Sequence, residues 1–418
     1  MLGLIVAGEA VYALPYHVAR YFRPSMLELF DMTATELGAA QGVYGIVAML
    51  AYLPGGALAD RFPARTLMAS SLWVTAIGGL YLATFPGYFE AMLVWAFFGI
   101  STVLLFWAAL IRAARDWGGD DEQGRAYGIL DAGRGFLAAA LSSIGVLIFA
   151  LAFPDGYGVA TFDEKTSALR IVIYGYTGVT AAAGFFVWFA LPATQPHTVS
   201  ASTTVVMRGL SRVMRLPVVW MQALIVFSAY VAYKGFDNYT LYAVQGWGMD
   251  EVEAAQIATL GTWVRPFAAL GAGLMGDRLG VSRMLILCFV LLLISHLVFA
   301  LTTPGGGGAA WLLLGNVVVT CAAMFGLRGL YFALFGEAKV PIAVTGAAVG
   351  VVSIIGYTPD IFVTLVAGIL VDATPGIEGH QHFFWFLSGF AVLGLVTSGA
   401  MLRTTAQRQT PALRSTTT

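Results

Sequence analysis

Hydrophobic positions in this chain come in long blocks, not in alternation. Runs of roughly 20 apolar residues, long enough for a helix to cross the hydrocarbon core of a bilayer, fall at about 1–24, 37–59, 66–86, 89–113, 125–153, 169–191, 217–243, 253–275, 283–303, 309–335, 341–371 and 383–403. Turn-rich breaks such as Phe85-Pro-Gly-Tyr88, Pro154-Asp-Gly-Tyr157 and Thr303-Pro-Gly-Gly-Gly-Gly308 separate them. The pattern predicts an all-α integral membrane protein with twelve transmembrane helices. One sizeable linker divides six runs from six. This gives an N-terminal bundle over 1–191, a linker at 192–216, a C-terminal bundle over 217–403 and a tail at 404–418. The linker opens as loop and then sets Arg208, Arg212 and Arg215 on one helical face, with Val206, Leu210 and Val213 on another. That spacing predicts either a short basic amphipathic helix on the inner membrane surface or a solvated connection.

Composition supports this picture. Only 11% of residues are charged and the mean hydropathy is +0.80, against roughly 25% charged residues in soluble domains. A net charge of -1 offers no basic surface for nucleic acid. The two cysteines, Cys288 and Cys321, both sit in apolar runs, so neither a disulfide framework nor a thiolate metal site is expected. No metal or other cofactor is expected, and the first run shows no cleavable signal. With both termini in the cytoplasm, thirteen Lys and Arg residues fall in inner loops and three, Arg23, Lys165 and Arg170, in outer ones. Positive charge concentrates on the inner side of such proteins, which sets the expected topology in a cell inner (plasma) membrane.

The chain contains one motif twice. Gly56-Ala-Leu-Ala-Asp60-Arg61-Phe-Pro-Ala-Arg65 recurs as Gly273-Leu-Met-Gly-Asp277-Arg278-Leu-Gly-Val-Ser-Arg283, with Gly, Asp and Arg each displaced by 217 positions. Each copy ends one apolar run and begins the next. A Gly-x-x-x-Asp-Arg turn repeated once per half resembles the signature of the major facilitator superfamily. In that family the turn joins helices 2 and 3, and again 8 and 9. The resemblance implies two pseudo-symmetric six-helix bundles, a central cavity and alternating access. It also implies that the motif, with Arg112 and Arg328 late in the matching fourth and tenth runs, acts as a conformational gate that does not touch substrate. Gly55, Gly56, Gly271 and Gly273 are expected to let helices pack closely there.

Charges within spans are costly and mark functional candidates. The 217-residue offset relates His17 to Lys234 and Arg20 to Asp237, placing polar positions at matching depth in the first and seventh runs. Tyr12-Ala-Leu-Pro-Tyr16-His17-Val-Ala-Arg20 and Tyr230-Val-Ala-Tyr233-Lys234-Gly-Phe-Asp237 look similar to the organophosphate:phosphate antiporter branch, in which basic residues of these helices hold phosphate. So does the entry to the fifth run, Glu122-Gln-Gly124-Arg125. The chain departs from that branch in using Lys234 and in adding Asp237, which an intrahelical pair with Lys234 would neutralise. Arg20 alternatively reaches the outer interface. Asp131 and Arg134 share a helical face and either pair with each other or serve the cavity. Asp360, beside Gly356 and Pro359, is expected to face the cavity, pairing with a base such as Arg265 or carrying a proton. Glu9 reads either as a proton-coupling carboxylate or as a structural acid.

No Walker loop, no His-Glu-x-x-His and no Gly-x-Ser-x-Gly elbow is present, and neither is the Gly-Pro pair of drug–proton antiporters, so an enzyme is not expected. The expected function is secondary transport of a small organic anion, such as a sugar phosphate or carboxylate, by a monomer. Arg20, Lys234 and Arg265, with His17, would hold it, and Tyr16, Tyr233 and Trp263 would line the site. The alternatives are proton-coupled movement of a neutral or amphipathic solute through Glu9 and Asp360, and a non-transporting receptor on the same fold.

Overall fold

The computed structural model describes residues 1–119, 122–193, 213–304, 309–337 and 342–414. The linker positions expected to form the amphipathic helix, including Arg208 and Arg212, lie outside the described residues. The described elements are helical throughout. The first half comprises α1 (Leu2–Tyr12), a π-helical turn (Ala13–His17), α2 (Val18–Tyr21), α3 (Arg23–Leu29), α4 (Ala34–Ala59), α5 (Ala64–Leu82), α6 (Tyr88–Gly99), a second π stretch (Ile100–Trp107), α7 (Ala108–Gly118), α8 (Gln123–Leu151) and α9 (Phe162–Ala190). The second comprises α10 (Pro217–Gly235), α11 (Tyr239–Trp247), α12 (Glu251–Leu279), α13 (Val281–Leu301), α14 (Ala309–Leu330), α15 (Leu334–Glu337), α16 (Ile342–Gly356), α17 (Pro359–Ala373) and α18 (Ile377–Arg414).

Nine helical stretches among the described residues are long and apolar enough to cross a membrane. The other three expected runs also fold as helices: α4, α5 and α12, of 26, 19 and 29 residues. Their glycines, hydroxyl residues and charges dilute the apolar run, as in α12 with Glu251, Glu253, Arg265, Asp277 and Arg278.

The chain forms two compact units. One contains Met1–Thr198, Gly235–Pro266 and Asp360–His380; the other contains Val199–Lys234, Phe267–Pro359 and Gln381–Thr418. In the first, α1 packs among α5, α8 and α9. Leu4, Val11, Met68, Leu72, Phe106, Leu110 and Val187 form its dry core. Thr180 in α9 donates to the Ala10 carbonyl at 2.9 Å, binding α9 to α1.

A glycine seam joins α4 to α17 within this unit. Gly38, Gly42 and Gly45 lie on one face of α4 against the backbone of Thr364, Ile361 and Asp360. Gly368 answers from α17 against Ala34. Small residues let helix backbones meet this closely. At the end of the seam, Asp372 accepts the Ala34 and Thr35 N–H groups at 3.2 and 2.7 Å, a carboxylate at a helix N-terminus where the dipole favours it. Thr33 and Glu36 complete that cap with a reciprocal capping box.

In the second unit, Gln222 of α10, fully buried, donates to the Tyr331 carbonyl at 2.8 Å. The two copies of the repeated turn are built differently. The first enters α5 through Pro63, and Arg112 donates to the Phe62 carbonyl at 2.9 Å. The second enters α13 through Gly280 at φ +93, a conformation side chains disfavour, and Glu337 accepts the Ser282 N–H at 2.9 Å. Of the four glycines expected to pack closely, Gly55 does so, against the Leu104 backbone, and within the second copy Gly276 packs against Leu330. A Cβ at Gly56, Gly271 or Gly273 would meet nothing within 4 Å among the described residues.

Candidate functional site

The site begins with a proline. Pro15 has no N–H for the helical ladder, and its ring presses on the carbonyl one turn back. The first helix answers with the π turn over Ala13–His17, a device found often at functional positions. Two regular turns take about seven residues; one widened turn stretches them to about eight. Glu9 and His17, eight apart, therefore share a face, and His17 Nε2 stands 3.4 Å from Glu9 Oε1.

Glu9 is buried, with a side chain 5% exposed. Two guanidinium groups converge on its other oxygen: Arg134 of α8 at 3.5 Å and Arg265 of α12 at 3.9 Å. Glu9 Oε2 accepts no hydrogen bond among the described residues, so the contact is Coulombic and loose beside the 2.7–2.9 Å of tight charge-assisted bonds. The short bonds of the two arginines go elsewhere. Arg134 Nε donates to the Gly8 carbonyl at 2.9 Å, and Arg265 donates to Asp131 Oδ1 at 3.2 Å. Gly8 and Gly135 make room, since a Cβ at either would press on Arg134 or Arg265.

Aromatic rings frame the cluster. Arg134 lies over Tyr12 and Trp107, at 5.6 and 5.9 Å from their centroids. Tyr16 packs on Tyr12 and edge-on against Tyr44, and the Tyr44 hydroxyl meets Thr102 at 2.8 Å. Thr102 belongs to the second π stretch, where Ser101 and Thr102 both donate to the Phe98 carbonyl and loosen the ladder. Trp263 donates to Ser143 at 2.9 Å and meets Phe136 edge-on.

The structure thus gathers Glu9, His17, Asp131, Arg134 and Arg265 in one place, with Tyr16 alongside. Asp131 and Arg134 turn to partners on other helices and not to each other. Arg20 lies apart, buried, with Nε donating to Asp237 Oδ1 at 2.6 Å; Thr240 holds the Arg20 carbonyl. Lys234 is buried in the second unit. There Arg328 stacks 4.0 Å over Tyr233 and 5.6 Å over Tyr230. Asp360 sits on the glycine seam, its backbone against Gly45. Arg65 lies 4.8 Å over Trp188, while Asp60, Arg61, Asp277, Arg278 and Arg283 are exposed. Sequence reasoning missed Tyr44, Thr102 and Trp107, whose aromatic or hydroxyl character has no distinguishing signal among so many similar residues, and quoted Tyr12 without giving it a role.

A family model described as Major Facilitator Superfamily matches residues 6–364. The chain belongs to the major facilitator superfamily. Inner membrane protein YihN of Escherichia coli (strain K12) is 26% identical over 420 residues, covering 97% of this chain and 95% of its own length. A probable nitrate/nitrite antiporter, NarK1 of Thermus thermophilus, is 26% identical over 272 residues, covering 62% of this chain and 58% of its own. The crystal structure of the nucleoside transporter NupG superposes with a TM-score of 0.73 at 15% identity, covering 96% of this chain and 98% of that one. This superfamily chain is therefore a multi-pass inner membrane transporter and not an enzyme, and its fold implies alternating access.

Proposed function

We propose that this transporter carries a small anion bearing a carboxylate, phosphate or nitrate-like group, and that Arg134 and Arg265 hold it. One observation carries the reading. Glu9 presents an oxygen to both guanidiniums without a hydrogen bond to either. An internal carboxylate held this loosely occupies the place an incoming oxyanion would take. A planar guanidinium offers parallel N–H groups to such a ligand. Displaced, Glu9 would take up a proton, with His17 beside it, so anion and proton movement would be coupled through one residue. The nitrate relative is consistent with an anionic cargo. Tyr12, Tyr16 and Trp263 would shape the site, and both termini and both Gly-x-x-x-Asp-Arg turns would face the cytoplasm.

The test is counterflow in liposomes with acetate, phosphate, nitrate and a neutral sugar, for the wild type, Arg134→Gln and Arg265→Gln. Anion counterflow lost in both variants supports the reading. Counterflow of the neutral sugar alone overturns it, and would turn the Glu9–His17 contact into the proton site of a neutral-solute carrier.

A further inference from the structure

Arg23 is the first residue of α3 and is fully buried, with 0% of its surface exposed. Its Nη1 donates to Gln41 Oε1 of α4 at 3.0 Å. Its Nε and Nη2 have no hydrogen-bond partner among the described residues. These two N–H groups share one edge of the guanidinium and point the same way, the edge that matches two oxygens of an oxyanion.

The neighbouring acids are committed elsewhere. Asp237 accepts from Arg20 at 2.6 Å, and Asp372 accepts the first N–H groups of α4. Both lie within electrostatic reach of Arg23, yet neither forms an ion pair with it. His380 is also within electrostatic reach. It meets Gln245 at 3.0 Å through Nε2 and has a buried Nδ1 with no partner. A buried charge left unpaired is costly, so this edge calls for a ligand.

We propose that the Nε–Nη2 edge of Arg23 is a second anion-binding point, separate from the Arg134–Arg265 pair, that takes a small planar oxyanion such as a carboxylate or nitrate. It lies 14 residues along the chain from Glu9, roughly 20 Å at the helical rise. It sits at the α4 end remote from Asp60, so it would be met at a different depth on the path. The proposal deepens the anion reading above while resting on different residues.

The experiment is thermal unfolding of the purified full chain in a buffer with only a bulky anion, titrated with acetate or nitrate. The wild type, Arg23→Met, Arg23→Lys and Arg265→Gln are compared. Arg23→Met is expected to melt above the wild type before anion is added, because an uncompensated buried charge is gone. Arg265→Gln is expected to keep part of the anion-dependent rise, and Arg23→Met to lose that part. Arg23→Lys keeps the charge without the fork and should respond more weakly than wild type. If Arg23→Met melts lower than wild type and responds to anion as wild type does, the second site is refuted. If Arg265→Gln loses the whole response, the second site also fails while the Arg134–Arg265 reading stands. If Arg265→Gln loses nothing and Arg23→Met loses everything, the Arg23 site stands and the other falls.

Discussion

Replacing Gly45 by alanine tests whether the α4–α17 seam is a contact of two backbones with no slack. A Cβ there would lie 2.7 Å from the Asp360 carbonyl carbon and 2.8 Å from both the Asp360 oxygen and the Ile361 nitrogen. All three are backbone atoms, so no rotamer change relieves the clash. Ordinary contact begins at 3.4 Å, so the helices must part by 0.7 Å at that point. Overpacking costs about 1–3 kcal/mol, and a clash against three backbone atoms that cannot rotate away belongs at the upper end, about 2–3 kcal/mol. Alanine recovers up to about 1 kcal/mol of helix propensity over glycine. The net loss is about 1–2 kcal/mol, a factor of roughly 5–30 in a two-state population. Alternating access requires the first-half helices to part from the 235–266 and 360–380 segments, so the loss should appear as opening. Thr262, 2% exposed and bonded to Tyr21 at 2.6 Å, makes a reporter. With Cys288 and Cys321 removed and Thr262→Cys introduced, a membrane-impermeant maleimide should label Gly45→Ala about 5–30-fold faster. Gly56→Ala, with nothing within 4 Å, should label like the parent. Equal labelling and equal melting for Gly45→Ala would refute the reasoning.

Asp237→Asn removes the carboxylate that buried Arg20 meets at 2.6 Å, and the unfolding midpoint should fall; Arg20→Met with Asp237→Leu should regain most of the loss. Glu9→Gln should leave anion binding intact or tighter while abolishing proton-driven uptake, measured with an imposed pH gradient. Glu251, ahead of the membrane run of α12, is fully buried and accepts the Ser25 N–H and hydroxyl at 2.9 and 2.5 Å and the Tyr157 hydroxyl at 2.7 Å. Burial pushes its carboxyl above the usual range, against the pull of those bonds. A raised acid pKa means that the protonated form stabilises the fold, fully so below the ordinary value of about 4.3, and that this contribution fades as pH rises through the folded value. Glu251→Gln should flatten the fall of melting temperature over that window, and an unchanged slope would count against it.

The membrane runs were legible because 20-residue apolar blocks are a direct imprint of bilayer thickness. The 217-residue offset related Arg20 to Asp237 only as positions at matching depth; the bond between the two side chains was not legible in it. Local spacing misled for the i,i+3 pair of Asp131 and Arg134: Asp131 binds Arg265, and Arg134 reaches Glu9. Across a crowded helical bundle, a partner on a facing helix competes equally with one a turn away. The α4 glycines that meet facing backbone are at 38, 42 and 45, a spacing visible in the chain but not attached to any motif. The π turn left one trace, Pro15, because in a helix apolar on nearly every face an added residue does not disturb the hydrophobic pattern.

That turn gives α1 a spare residue of winding. Deleting one position between Ala13 and His17 would restore regular helix and, leaving Glu9 and His17 seven apart, keep them on one face; regularising the turn without a deletion would swing them about 80° apart. Conversely, moving the wide turn along the helix would rotate the segment above it about its own axis without unwinding or sliding. The first helix thus contains a swivel, and the acid facing both arginines sits on the part that turns.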